Sequence, residues 1–156
     1  MSANTAEDQL KVLGLQLPLA PQPVAVYKTA VVIGKLVYVS GHGPLQRDGT
    51  FTKGKVGVEL DVAAGKAAAR QTALAILATL RRALGSLDRV ERVVKVFGLV
   101  NCSPEFEEHP QVINGCSELF AQIWGQESGI AARSAVGANS LPGNIAVEIE
   151  AIFALK

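Results

Sequence analysis

An arginine and two glutamates near the C-terminus are the residues best suited to chemistry in this 156-residue sequence. Arg133 opens an apolar stretch, and Glu148 and Glu150 lie two residues apart in the apolar run 146–155. Side chains two apart on a strand share a face. Charges inside an apolar strand face water, a partner or a ligand. The residues alone leave an interface salt bridge, a binding site and a solvated edge as alternatives.

Other residue types offer weaker candidates. Two histidines, at 42 and 109, and two cysteines, at 102 and 116, are never spaced as metal-ligand pairs, which disfavours a structural zinc site. The stretch 49–56 approaches a phosphate-binding P-loop, but Val56 stands where that motif needs serine or threonine. Basic residues at 81, 82, 89, 92 and 95 support RNA binding only weakly, because aromatic residues are 5% of the chain. The near balance of 15 basic and 14 acidic residues excludes a chain-wide polycation.

The flanking sequence predicts the elements that position these residues. Residues 30–33 and 36–40 predict a hairpin around Gly34 and Lys35, and residues 62–84 predict a helix between the N-cap Asp61 and Gly85. We expect a buried strand at 90–100, and a second helix that begins near Pro104 and ends near Trp124. The last strands are expected at 133–138 and 146–155.

This order of elements predicts an α+β domain with two helices packed on one face of a mixed β-sheet. Residues 24–156 form that single domain. Residues 1–23, which contain a short helical stretch followed by prolines, are expected to be an N-terminal arm on its outside.

The sheet face opposite the helices is expected to be covered. In the strand 90–100, Val94 and Val96 share one side, while Val93, Phe97 and Leu99 share the other. A solvated face would alternate with polar residues. The simplest cover is another copy of the chain, so the pattern predicts a closed homo-oligomer.

The sequence also suggests a compartment. Charged residues interrupt every apolar run short of the roughly 18 residues that a membrane helix needs. The first residues carry acids where a signal peptide carries basic residues. With two distant cysteines interpreted as reduced thiols, we expect a cytoplasmic protein without membrane association.

Several ordered segments together resemble the YjgF-type superfamily of reactive intermediate deaminases, also called perchloric-acid-soluble (L-PSP) endoribonucleases. Tyr27 precedes Gly34 by seven residues, and LVYVSGHGP is similar to the family's V-S-G-Q-x-P segment. Asn114 and the closing ARSAV…LP…VEIEAI match as well, with Arg133 and Glu148 at the family's separation. The extra N-terminal residues resemble a longer-chain branch.

The resemblance implies a chorismate-mutase-like homotrimer with clefts between subunits. In those clefts the arginine matching Arg133 binds the carboxylate of a small imino acid, and the glutamate matching Glu148 positions or activates the attacking water. Residues matching Tyr27, Ser40, Gly41 and Asn114 complete the cleft. Two positions depart from the family: Ala135 replaces a frequent cysteine, and His42 replaces the usual glutamine. His42 is expected either to line the cleft or to be a half-exposed loop residue.

The function implied is hydrolysis of 2-aminoacrylate-like enamines and imines to 2-keto acids and ammonia, with no metal or organic cofactor. The ligand would be a small imino or keto acid. Two alternatives stay open: an endoribonuclease, although a nucleic-acid partner is disfavoured by the sequence, and a non-catalytic regulator that binds small carboxylates in the same clefts.

Overall fold

The computed structural model describes residues 5–156, which form a mixed sheet and three helices. The helices are α1 (Ala6–Val12), α2 (Val62–Leu84) and α3 (His109–Gly129). The strands are β1 (Ala30–Ile33), β2 (Leu36–His42), β3 (Val90–Asn101), β4 (Ala132–Ala138) and β5 (Val147–Leu155). Within residues 5–156, no helix is long and apolar enough to cross a membrane.

The long helix α2 has the predicted bounds. The Asp61 side chain accepts a hydrogen bond from the Ala64 amide at 2.7 Å, and so caps the first turn. Gly85 ends the helix with φ 83°, a conformation that an L side chain rarely adopts. The hairpin of β1 and β2 around Gly34 and Lys35 is confirmed as well.

The helix α3 begins later than predicted. Pro104 and Glu105 form a turn, residues 106–108 have no regular structure, and the helix starts at His109 with Pro110 in its first turn. Pro110 suits that position because an N–H in the first turn has no intrahelical partner. Gly125, with φ 83° and ψ 169°, interrupts the helix directly after Trp124, the predicted end.

The five strands are ordered β1-β2-β5-β3-β4. Only β3 and β4 run parallel; the other neighbours are antiparallel. The helices α2 and α3 pack on each other and on one sheet face, as predicted, over a core that includes Phe120 and Phe153. Among residues 5–156 no helix lies on the opposite sheet face, which we call the open face.

A shift in the pairing of β3 corrects one expectation. The register between β3 and β5 slips near Arg92 and again between Val93 and Lys95. Val93 therefore lies in the core with Val96, not with Phe97 and Leu99, while Val94 stays 37% exposed. The open face remains apolar through Phe97, Leu99 and the exposed Val31, Tyr38 and Val136.

The N-terminal helix α1 adds to the core from the outside of the domain. Leu10 is buried among core residues, whereas Val12 is 71% exposed. Glu7 is paired with Arg81 of α2, and its Oε1 also accepts the Leu87 amide at 3.0 Å. These contacts tie the arm to the C-terminal end of α2.

Candidate functional site

Arg133 lies on β4, the strand at one edge of the sheet, and its side chain turns toward α3. Nη1 donates to Asn114 Oδ1 at 2.8 Å and to Ser117 Oγ at 3.1 Å. Nη2 makes a longer bond, 3.4 Å, to the Pro110 carbonyl oxygen. Asn114 and Ser117 are three residues apart, and so project from the same side of α3.

The partners of Arg133 are all neutral. Within residues 5–156 no carboxylate lies within 4.0 Å of its guanidinium. A guanidinium has five N–H donors, and the three bonds above leave Nε–H and one N–H of Nη2 without a protein partner among those residues. Two adjacent donors of this kind match the two oxygens of a carboxylate.

Arg133 lines a surface groove of about 640 Å³ along α3. Asn114 and Ser117 line the same end, and Gln122, Gln126 and Ile130 continue it. The groove therefore holds the charge of Arg133 and one carboxylate, Glu118, which is paired with Lys66 at 2.8 Å; its other lining residues are neutral. Sequence reasoning had identified Asn114 but not Ser117; the three-residue spacing from Asn114 on a predicted helix was the available signal.

Glu148 lies on the open face of the sheet. It pairs with Leu99 across β5 and β3, between the buried Val147 and Ile149. Desolvation by burial, with a smaller contribution from the nearby Glu150 carboxylate, raises the pKa of Glu148 above its usual range. Glu148 is thus a carboxylate whose affinity for a proton is increased.

Gly41 makes room for the Glu148 carboxyl group. A Cβ at this position would lie 2.3 Å from Glu148 Oε1 and 2.9 Å from its Cδ. Only a residue without a side chain allows the carboxyl group to sit against the β2 backbone. The register of β2 and β5 shifts between Val39 and His42, and this irregularity contains Gly41.

Ser40 precedes Gly41 on β2, and its hydrogen bonds tie β2 to the residues that follow Tyr27. The Ser40 hydroxyl donates to the Lys28 carbonyl at 2.5 Å, and the Ser40 amide donates to the Thr29 carbonyl at 3.0 Å. These bonds hold the segment that follows Tyr27 beside β2, and Tyr27 itself is 42% exposed. Ser40 also lines a 380 Å³ depression on the open face with Tyr38, Phe97 and Glu150.

Arg133 and Glu148 do not meet within one chain. Arg133 pairs with Val96, which is buried under the helices, whereas Glu148 pairs with Leu99 on the open face. Val96 and Leu99 are three residues apart on β3 and so point to opposite faces of the sheet. The predicted site residues therefore form two groups: Arg133 with Asn114 on the helix side, and Glu148 with Gly41 and Ser40 on the other. Ala135 faces the helix side with Arg133, since it pairs with Gly98.

His42 neither lines a surface cleft nor lies half-exposed in a loop, so both expectations for this residue are corrected. It ends β2 rather than lying in a loop, and it is 4% exposed. Its Nδ1 donates to the Ser40 carbonyl at 2.6 Å, which leaves Nε2 to accept from the Thr79 hydroxyl of α2 at 2.8 Å. Burial lowers the pKa of His42, so the ring is neutral at pH 7. The irregularity at Gly41 turns this side chain under α2.

The basic residues that gave weak support for RNA binding make internal contacts. Arg81 is paired with Glu7, and Arg82 donates to the Ala20 and Pro21 carbonyls and to the Thr29 hydroxyl. Arg89 and Arg92 donate to main-chain carbonyls, and Lys95 donates to Ser134. These contacts orient the cationic groups toward the protein rather than into one groove.

Comparison with known proteins agrees on one family. The family model described as "YjgF/chorismate mutase-like, putative endoribonuclease" matches residues 7–154. Protein TCP17 of Trypanosoma cruzi is 43% identical over 94% of this chain and 92% of its own length. The 2-iminobutanoate/2-iminopropanoate deaminase of Dermatophagoides farinae is 31% identical over 91% and 95%. A solved structure of a protein of unknown function from Agrobacterium tumefaciens superposes with a TM-score of 0.88 at 44% identity, covering 97% of this chain and 92% of that one.

Proposed function

The chain belongs to the YjgF/chorismate mutase-like family, and within it we propose that this protein is an enamine and imine deaminase. Its substrates would be 2-aminoacrylate-like compounds, hydrolysed to 2-keto acids and ammonia. The family includes proteins named imine deaminases and proteins named endoribonucleases, so the choice between these activities depends on the residues of this chain.

The unpaired face of the Arg133 guanidinium is the observation that carries the proposal. Neutral oxygens of Asn114, Ser117 and Pro110 orient it, and two N–H donors stay free of protein partners within residues 5–156. A structural arginine of an ion pair would have a carboxylate beside it. An arginine oriented by neutral groups keeps its charge available for an anionic ligand, and a 2-imino acid carries one carboxylate.

Glu148 would transfer the protons in this reaction. In the proposed reaction, the enamine takes up a proton from solvent at C3 and becomes the iminium form of the 2-imino acid. The Glu148 carboxylate then accepts a proton from water while the water oxygen bonds to C2 and the C=N π electrons move to nitrogen, which gives a neutral amine. The protonated Glu148 returns its proton to the amino nitrogen of the tetrahedral adduct. The C–N bond then breaks and ammonia leaves; the hydroxyl oxygen becomes the keto oxygen as its proton passes to solvent water, which balances the proton taken up at C3. The raised pKa of Glu148 suits this exchange, because proton transfer is most efficient when the pKa approaches the working pH.

The opposite placement of Arg133 and Glu148 implies that a complete site needs two copies of the chain. One copy would contribute Arg133 and Asn114, and the next would contribute Glu148, Gly41, Ser40 and Tyr27. We propose a homotrimer with three such sites, in which the apolar open face is buried between subunits. Cyclic symmetry supports this arrangement, because each interface then joins the two different surfaces.

Subunit mixing tests the reaction and the two-copy site together. Arg133→Ala and Glu148→Gln chains, each inactive in its own oligomer, are expressed together and assayed with freshly generated 2-aminoacrylate. Random mixing in a ring restores both residues at about a quarter of the interfaces, so about a quarter of wild-type activity should return. The matched control is each variant expressed alone at the same total concentration.

Two outcomes contradict the proposal separately. Mixed oligomers that form but stay inactive would mean that Arg133 and Glu148 do not act across an interface. A wild-type oligomer that leaves 2-aminoacrylate hydrolysis at the buffer rate would refute the deaminase activity. Measured binding of 2-keto acids without turnover would then favour the carboxylate-binding regulator.

A further inference from the structure

A second concave site lies where the end of β3, the start of α3 and the end of β4 meet. It has a volume of about 270 Å³ and contains Cys102, Phe106, His109 and Gly137. Cys102 Sγ and His109 Nε2 are 3.5 Å apart, a thiol–imidazole contact that the sequence spacing did not indicate. The His109 ring packs edge-on against Phe106, with the ring centres 5.2 Å apart. This contact fixes the direction of the imidazole.

Gly137 of β4 provides the space beside this pair. A Cβ at Gly137 would lie 2.7 Å from His109 Nε2 and 3.0 Å from Cys102 Sγ. Both reactive atoms therefore face a gap that any larger residue on the strand would close. The gap is a feature of the strand surface, separate from the Arg133 contacts and from the Glu148 side of the sheet.

We propose that Cys102 and His109 form a covalent modification site for small conjugated carbonyl electrophiles. The thiol would be the nucleophile and the imidazole its base. The site does not depend on the proposed deaminase activity, since neither Arg133 nor Glu148 takes part.

The addition balances without a further reactant. The thiol sulfur bonds to the β-carbon of the conjugated electrophile as its proton passes to His109 Nε2. The C=C π electrons move toward the carbonyl oxygen, giving an enolate. The proton then passes from the imidazolium to the α-carbon, which restores the carbonyl and leaves a thioether on Cys102. No bond is oxidised or reduced overall.

His109 is needed because Cys102 rests as a thiol. Burial raises the pKa of Cys102, so little thiolate is present at pH 7 without a base. The other cysteine, Cys116, is an internal control. It is fully buried in the core, burial raises its pKa further, and no histidine is bonded to it among residues 5–156.

The experiment uses the full chain and N-ethylmaleimide at pH 7, with adducts located by peptide mass spectrometry. We expect one adduct on the native protein, at Cys102, and none at Cys116 until the protein is unfolded. His109→Gln should slow this labelling about tenfold or more, because glutamine keeps a polar group but cannot accept the proton. Gly137→Ala should also slow it, by filling the gap. Circular dichroism and equal labelling of all variants in denaturant control for folding and reagent quality.

Three outcomes would overturn the proposal. The pocket is closed to electrophiles if native Cys102 is not labelled before unfolding. The two thiols are not distinguished by their surroundings if Cys116 is labelled as fast as Cys102. His109 is not the base if folded His109→Gln protein is labelled at the wild-type rate between pH 6 and 8.

Discussion

Replacing Arg133 by lysine tests whether its guanidinium binds a carboxylate in a bidentate manner, through two hydrogen bonds. In the protein, Nη1 is committed to Asn114 and Ser117, and one N–H of Nη2 points to the Pro110 carbonyl. The remaining Nε–H and Nη2–H form one edge of the planar group and would bind both oxygens of the substrate carboxylate. Lysine keeps the charge, but it is a compact ammonium without this fork.

The magnitude follows from the number of bonds lost. Lysine would retain at most one of the two bonds to the carboxylate, and one hydrogen bond to a charged group contributes about 1.5–3 kcal/mol. The expected loss in kcat/KM is therefore roughly 10- to 150-fold. Alanine removes both bonds and the charge, so its loss should be at least as large. Lysine should thus be nearly as damaging as alanine.

The assay measures hydrolysis of freshly generated 2-aminoacrylate and the oligomeric state by light scattering on the same preparations. Intact oligomers with activity lost in both variants support the binding role. If the lysine variant has near-normal turnover, the bidentate contact with the carboxylate is refuted. If the oligomers of both variants dissociate while turnover is still unchanged, Arg133 acts in assembly instead.

Three further outcomes are expected. Gly41→Ala should lower kcat at least about tenfold with a small change in melting temperature, because its methyl group would displace the Glu148 carboxyl group; unchanged kinetics would contradict the role of that contact. Leu10→Ala should lower the free energy of unfolding by about 2–4 kcal/mol, against less than about 0.5 kcal/mol for the exposed Val12→Ala, as measured by urea denaturation. Burial lowers the pKa of His42 in the folded protein, so below about pH 6.5 the unfolded chain binds more protons than the folded one and stability decreases. His42→Gln should therefore make the melting temperature depend less on pH between pH 7.5 and 5. Equal dependence of melting temperature on pH in the two proteins would refute this.

Removal of the N-terminal arm extends the Leu10→Ala test. Removing residues 1–20 deletes the Glu7 partner of Arg81 and takes Leu10 out of the core. The oligomer is still expected to assemble, because the proposed interface lies on the open face of the sheet. The truncated chain should lose stability by an amount similar to Leu10→Ala or larger, and dissociation on truncation would place the arm in the interface.

The sequence by itself determined the elements and much of their bounds. Hydrophobic periodicity with Asp61 and Gly85 at the ends predicted α2, and β-branched runs predicted β3 and β5, because these signals depend on a few neighbouring residues. The sequence also placed Arg133 and Glu148 on strands. It misjudged the start of α3, which begins at His109 with Pro110 in its first turn; Pro104 and Pro110 both suit a first helical turn, so the local signal does not choose between them.

Only the tertiary structure decided which face each of these residues occupies. The pairing of Val96 with Arg133 and of Leu99 with Glu148 separates the two charges, and pairing depends on strands far apart in the chain. The slips in β3 moved Val93 into the core, and the irregularity at Gly41 turned His42 under α2. The path of the chain from β3 into α3 brings His109 to Cys102, seven residues earlier, and this approach has no periodicity signal in the sequence. A period of two along a strand fixes side-chain faces only after the register is known, and the register is set by the whole sheet.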